Sequence, residues 1–175
     1  MSIIICSGIH SHNLTIDFIN GLKRSGIGSD NYAIVPIHYN PPLFPLALAL
    51  WLKTNFADDD RAITIISFSA GVVGAIVAAN LWQFWGGKIA KFIAVDGWGV
   101  PLMGDFPIYR LSHDYFTHWS SVIGGGGERD FYAQPAVSHL DLWRFPHESR
   151  GWEIAGAKKT YTNAAAFLSE LLHAT

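Results

Sequence analysis

Charge is scarce in this chain. Of its 175 residues only 15% are charged, with 12 Lys and Arg against 14 Asp and Glu, for a formal net charge of -2. Proteins that bind nucleic acid usually cluster Lys and Arg on one face, so this balance argues against a nucleic-acid partner. Half of the residues are hydrophobic, which excludes a largely disordered chain. The length suits a single domain, residues 1–175.

Cysteine is almost absent as well. Cys6 is the single cysteine, so no disulfide can form within the chain, and its apolar surroundings are typical of a small buried hydrophobe. This cysteine usage does not indicate an oxidising compartment. The first residues lack both a basic segment and a long apolar segment, so we expect no signal peptide and a cytoplasmic protein.

One long stretch carries no charge, from Ala62 to Gly87, and it is long enough to span a bilayer. Its composition is uneven, however. Residues 63–66 are mostly β-branched, as in a strand, and residues 67–71 are mostly small and polar, as in a turn. Residues 72–85 are rich in Ala and Val, as in a helix. A buried strand followed by a buried helix is therefore favoured over a membrane span.

Strand and helix patterns alternate along the chain. Apolar runs predict strands at Ile3–Ser7, Tyr32–His38, Ala62–Phe68, Ile89–Val95, Ile108–Ser112 and Phe131–Ala133. Helical spacing of apolar residues predicts helices at Thr15–Lys23, Leu46–Phe56, Gly71–Trp85 and Ala157–His173. This alternation predicts an α/β fold with a mostly parallel sheet of about six strands and helices on both faces.

The carboxyl ends of the predicted strands are where a site is expected, because ligands of such folds bind there. The segments to inspect are Gly8–His10, His38–Asn40, Ser67–Ser69, Asp96–Trp98 and His113–Asp114. The acidic run Asp58–Asp60 is interpreted as a solvated turn.

Ser69 is the candidate nucleophile. It lies in Ser-Phe-Ser-Ala-Gly at 67–71, which is the G-x-S-x-G pattern with its first glycine replaced by Ser67. That pattern forms a strained strand-to-helix turn that exposes the central serine and needs small residues two positions away on each side. The N–H of Ala70, at the start of the predicted helix, would stabilise an oxyanion.

With this motif the sequence resembles the α/β-hydrolase superfamily, and in particular its small, lidless lipase- or esterase-like members. The resemblance covers nearly the whole chain. The loop Ser-Gly-Ile-His-Ser-His at 7–12 is similar to the family's H-G-x loop, with Ser7 in place of His. It implies that Ile9 supplies the second oxyanion N–H, with His10 beside it.

The family's order, Ser then acid then His, implies a base after the last strand, and His139 fits best. Three other histidines fit less well: His118, His147 and His173. For the acid, the resemblance favours Asp114, which follows the fifth predicted strand. Asp96, which follows the fourth, is the alternative. The segment from Val95 to Ile108 is too short for the usual crossover helix, which we expect to be lost or reduced to a turn.

Metal chemistry is not expected. The His10-x-His12 pattern of barrel metallohydrolases belongs to a much longer fold. The spacing of His113 and His118 does not put both on the zinc-binding face of a helix. We expect neither a metal nor a cofactor.

The sequence thus predicts a serine hydrolase of carboxylic esters, with Ser69 as nucleophile, His139 as base, and Asp114 or Asp96 as the acid. Because little chain remains for a lid, the substrate is expected to be a small or exposed ester or thioester. The residues expected to border its pocket are His10, Phe68 and Trp98. The alternative is a non-catalytic α/β-hydrolase-like protein that binds a ligand or a partner. The oligomeric state is left open.

Overall fold

The computed structural model describes residues 2–27, 32–36, 44–57, 61–123, 125 and 127–173. Eight strands lie in this part of the chain: β1 (Ser2–Cys6), β2 (Tyr32–Ile34), β3 (Ile63–Phe68), β4 (Ile89–Val95), β5 (Ile108–Ser112), β6 (Arg129–Ala133), β7 (Arg150–Ala155) and β8 (Lys158–Asn163). Six helices accompany them within the same residues: α1 (His12–Arg24), α2 (Pro45–Phe56), α3 (Gly71–Phe84), α4 (Tyr115–Val122), α5 (His139–Arg144) and α6 (Ala164–His173).

The strands form one sheet in the order β2-β1-β3-β4-β5-β6-β7-β8. The pairs from β2 through β6 are parallel, whereas β7 and β8 add to the edge in antiparallel fashion. The α/β class and the mostly parallel sheet are therefore confirmed.

Each face of the sheet is covered by helices, as expected. Alternate residues of a strand point to opposite faces, and in β1 the residues Ile3 and Ile5 pack with α1, α5 and α6. Ile4 and Cys6 pack instead with α2 and α3. On the first face the indole of Trp143 stacks on Phe18 at a centroid distance of 3.9 Å. The two apolar layers thus bury hydrophobic side chains on both faces of the sheet.

The expected count of about six strands is wrong, because the antiparallel hairpin of β7 and β8 was not anticipated. The predicted helix Ala157–His173 begins as β8 and becomes helical only at Ala164. Residues 158–163 read Lys-Lys-Thr-Tyr-Thr-Asn, with β-formers in an exposed edge strand. Gly156, with φ +58, makes the turn between the two strands.

Two further expectations concern the connections. Residues 96–107, between β4 and β5, contain no helix, as expected from their length.

Within the described residues, no helix is both long and apolar enough to cross a bilayer, and the uncharged stretch forms β3 and α3. The segments His38–Asn40 and Asp58–Asp60 lie outside the described residues.

Candidate active site

Three neighbouring strands place three polar residues at one edge of the sheet. Ser69, Asp96 and His113 come directly after β3, β4 and β5. The parallel register sets Phe68 beside Val95 and Val95 beside Leu111. The carboxyl ends of the three strands therefore lie side by side, which is where ligands bind in parallel sheets.

The turn at Ser69 is sharp. Ser69 has φ +53, a left-handed conformation that non-glycine residues seldom adopt, and its N–H donates to the carbonyl of Val95 at 2.8 Å. A Cβ on Gly71 would collide with the carbonyl oxygen of Ser7, so glycine is required there. The hydroxyl of Ser67, in place of the motif's first glycine, donates to the carbonyl of Cys6 at 3.3 Å inside the sheet. The strand can therefore carry a serine at this position.

Asp96, the residue after β4, also has a left-handed backbone conformation, with φ +51. Its N–H donates to the carbonyl of Leu111 at 2.8 Å, which extends the sheet pairing by one residue and turns the side chain toward β5. The carboxylate side chain is 1% exposed. Water is therefore excluded from it, and its hydrogen bonds must come from the protein.

His139 connects these two residues. Its Nε2 lies 3.0 Å from Oγ of Ser69, and its Nδ1 lies 2.8 Å from Oδ2 of Asp96. A carboxylate accepts only, so Nδ1 carries the proton and Nε2 is left to accept from the serine hydroxyl. The ring stacks on Phe68 at a centroid distance of 4.7 Å, which fixes its plane. Serine, imidazole and carboxylate thus form one hydrogen-bonded chain.

The place of His139 relative to the strands of the sheet differs from expectation. It is the first residue of α5, whose N-cap Ser138 accepts from the N–H of Asp141. This helix follows β6, the last parallel strand, and β7 and β8 come after it. The expectation that the base follows the last strand is therefore wrong in topology, although the residue expected for that place does reach Ser69.

The carboxylate that reaches His139 is Asp96, not the favoured Asp114. Asp114 is the N-cap of α4, where its Oδ1 accepts from the N–H of Thr117 at 2.7 Å. Its Oδ2 lies 3.5 Å from Nε2 of His113. An Asp just before a helix satisfies the first turn's free N–H groups, so the cap turns Asp114 away from the base.

A second histidine also bonds Asp96. Nδ1 of His113 lies 3.0 Å from Oδ2, and the backbone N–H of His113 donates to Oδ1 at 2.8 Å. Burial by itself raises the pKa of Asp96, but the hydrogen bonds from His113 and His139 and the charge of His113 outweigh it, so the net pKa is lowered. The sequence pattern pointed to His113 as a residue after a strand but assigned it no role at Asp96.

The cleft above Ser69 has a volume of about 250 Å³. Besides the polar residues already described, its lining is Ala70, Val73, Trp98, Val100 and Thr117. Trp98 is therefore placed as expected. Phe68 does not line the cleft, because it is buried in the core beneath His139. His10 is not in the lining either; its ring packs against Phe68 and Trp143.

Helix α4 starts at the cleft, and it buries polar residues while its aromatic residues are exposed. Its buried residues are Thr117 and Ser121, whereas Tyr115, Phe116 and Trp119 are exposed. The cleft thus has an aromatic surface beside it as well as apolar walls.

The two expected oxyanion donors belong to the serine turn and to the loop after β1. Ala70 is the N-cap residue of α3 and lines the cleft. A Cβ on Gly8 would come within 2.8 Å of the carbonyl oxygen of Phe68, so the loop after β1 lies against the Ser69 turn. Ile9, the next residue, is 80% exposed. The role of both N–H groups stays a prediction.

The same residues form the one grouping of metal-ligand types found in the described residues. One ligand atom each from Asp96, His113 and His139 lies within 4.8 Å of the others. Both Nδ1 atoms point at a carboxylate oxygen within 3.0 Å. Hydrogen bonds to the shared carboxylate therefore account for the grouping.

The sequence matches no protein-family model and no curated protein.

Proposed function

We propose that the protein is a serine hydrolase of carboxylic esters, built like the small, lidless members of the α/β-hydrolase superfamily. The observation that supports this most is the chain of hydrogen bonds from Ser69 through His139 to Asp96, at 3.0 and 2.8 Å. It pairs a nucleophile with a base, and the base with a third group that orients it, which is the arrangement required for nucleophilic catalysis by serine.

In the proposed reaction, Oγ of Ser69 attacks the ester carbonyl carbon while its proton passes to Nε2 of His139. The buried carboxylate of Asp96 stabilises the imidazolium that forms. The N–H groups of Ala70 and Ile9 hold the negative oxygen of the tetrahedral intermediate. As this collapses, the alcohol leaves with the proton from His139, and an acyl-serine remains. Water then attacks the acyl carbon and gives a proton to His139. As the second tetrahedral intermediate collapses, the bond between the acyl carbon and Oγ breaks, His139 returns the proton to Oγ of Ser69, and the carboxylic acid leaves.

The cleft supports a substrate with an apolar group beside the ester. Val73, Trp98 and Val100 line it, and Trp98 is 62% exposed, so an acyl or alcohol chain bound there would cover apolar surface. Each buried methylene contributes about 0.8 kcal/mol. We therefore propose small or exposed esters or thioesters as the substrate class, with no cofactor required.

A fluorophosphonate probe tests the proposal, because it forms a stable bond only with an activated serine. We expect the wild-type protein to be labelled and the Ser69→Ala variant to be unlabelled. Ser67→Ala is the matched control, since it removes a hydroxyl two residues away, in β3, and should keep the label. Circular dichroism establishes that each variant is folded.

A folded wild-type protein that neither takes the probe nor hydrolyses short p-nitrophenyl esters would contradict the proposal. That result would favour a non-catalytic protein of the same fold that binds a ligand or partner in this cleft.

A further inference from the structure

Asp96 holds two imidazoles where a serine hydrolase mechanism uses one. Its Oδ2 accepts from Nδ1 of His139 at 2.8 Å and from Nδ1 of His113 at 3.0 Å, and its Oδ1 accepts from the backbone N–H of His113 at 2.8 Å. The contact with His139 suffices to orient the base. The two contacts from His113 are additional, and they engage both oxygens of the carboxylate.

We propose that His113 is a positioning residue, which fixes the Asp96 carboxylate against His139. This inference rests on the proposed function, because it concerns the base of that reaction.

The positioning role of His113 follows from the geometry of its contacts with Asp96. One donor from His113 contacts each carboxylate oxygen, so a rotation of the carboxylate away from His139 would break at least one of these bonds. The Asp96 side chain is 1% exposed, and no water competes at a buried site of this kind. His113 is half-buried beside it, with 24% of its side chain exposed, and it borders the cleft.

The groups that face His113 favour its protonated form. They are Asp96 at the end of β4, Asp114 at the N-cap of α4 and His139 at the start of α5. Two carboxylates thus face His113, one on each ring nitrogen. The hydrogen bond to Asp96 outweighs burial and raises the pKa of His113, and the charges of Asp96 and Asp114 act in the same direction.

Two substitutions test this role. His113→Asn keeps an amide N–H close to the position of Nδ1, whereas His113→Ala removes the side-chain donor and leaves the backbone N–H in place. The measurement is the rate of fluorophosphonate labelling of Ser69 against pH, with His173→Asn at the end of α6 as the control. We expect Asn to keep the plateau rate and Ala to lower it about tenfold.

The inference is overturned if His113→Ala keeps the full plateau rate, or if His113→Asn loses as much of the rate as His113→Ala does. An NMR titration of the imidazole signals tests it without turnover. We expect the pKa of His113 to lie above the ordinary histidine value and to fall in Asp96→Asn. An ordinary value in the wild type overturns the inference even if the protein labels well. Absent labelling with a raised value refutes only the hydrolase function.

Discussion

The sharpest test of the site compares its two candidate acids, Asp96 and Asp114, through an Asp→Asn substitution at each position. Asp96→Asn replaces the acceptor of both histidines by an amide, whose nitrogen can only donate. His139 then loses the charge that stabilises its protonated form and the partner that keeps its proton on Nδ1. In serine proteases the corresponding change lowers kcat by about 10⁴. We expect a fall of about 10³–10⁴ here, or about 4–5.5 kcal/mol of transition-state stabilisation.

Asp114→Asn is the matched control. Asn and Asp are about equally good N-cap residues, so the N–H of Thr117 keeps its acceptor and α4 keeps its start. Asp114 has a distance of 3.5 Å to His113 as its one ionic contact among the described residues, which is too long for a strong hydrogen bond. We therefore expect activity and thermal stability close to those of the wild type.

The assay is kcat/KM for short p-nitrophenyl esters, together with the rate of fluorophosphonate labelling. A larger loss in Asp114→Asn than in Asp96→Asn would refute the assignment of Asp96 as the acid. Equal and small losses would refute the dependence of His139 on either carboxylate.

Three further predictions test the structure around the site and in the core. Gly71→Ala puts a methyl group against the carbonyl of Ser7 and should destabilise the fold by about 1–3 kcal/mol, seen as a lower Tm; an unchanged Tm would contradict the close turn. Burial raises the pKa of Cys6 to about 12, so a thiol reagent at neutral pH should react only after denaturant is added, and fast labelling of native protein would contradict its burial. Trp143→Ala removes an indole stacked on Phe18 and should cost about 3–5 kcal/mol in urea unfolding; a loss below about 1 kcal/mol would show that the stack contributes little.

The parts of the fold that the sequence predicts well are those whose signals are local. The β-branched run 63–66, the small residues after it and the Ala-rich run from Val72 lie next to each other in the chain. They form β3, the Ser69 turn and α3. The hairpin of β7 and β8 is different. Its turn signal, Gly156, stands beside an apolar run that is helical from Ala164 onward, and the stronger helical pattern obscured the weaker strand.

The acid could not be decided from the sequence, because side-chain direction after a strand depends on the backbone. Asp96 turns toward β5 through a left-handed φ and a hydrogen bond to a carbonyl of the neighbouring strand. Neither is encoded in the spacing of residues. A local signal did exist for Asp114. It stands immediately before a short run of aromatic and small residues that is helical, as an N-cap residue does.

The left-handed conformations of Ser69 and Asp96 lower the stability of the fold at two positions of the proposed site. Each conformation costs about 1–2 kcal/mol for a residue with a side chain, and glycine would adopt it without strain. Random mutagenesis selected for heat resistance alone would therefore find Ser69→Gly among its stabilising changes, and would remove the proposed nucleophile in doing so. Asp96→Gly should not be among them, because it would leave three donors at the buried carboxylate without their acceptor. Selection for stability and activity together should leave Ser69 untouched, so comparing the two selections would identify the nucleophile without any knowledge of its substrate.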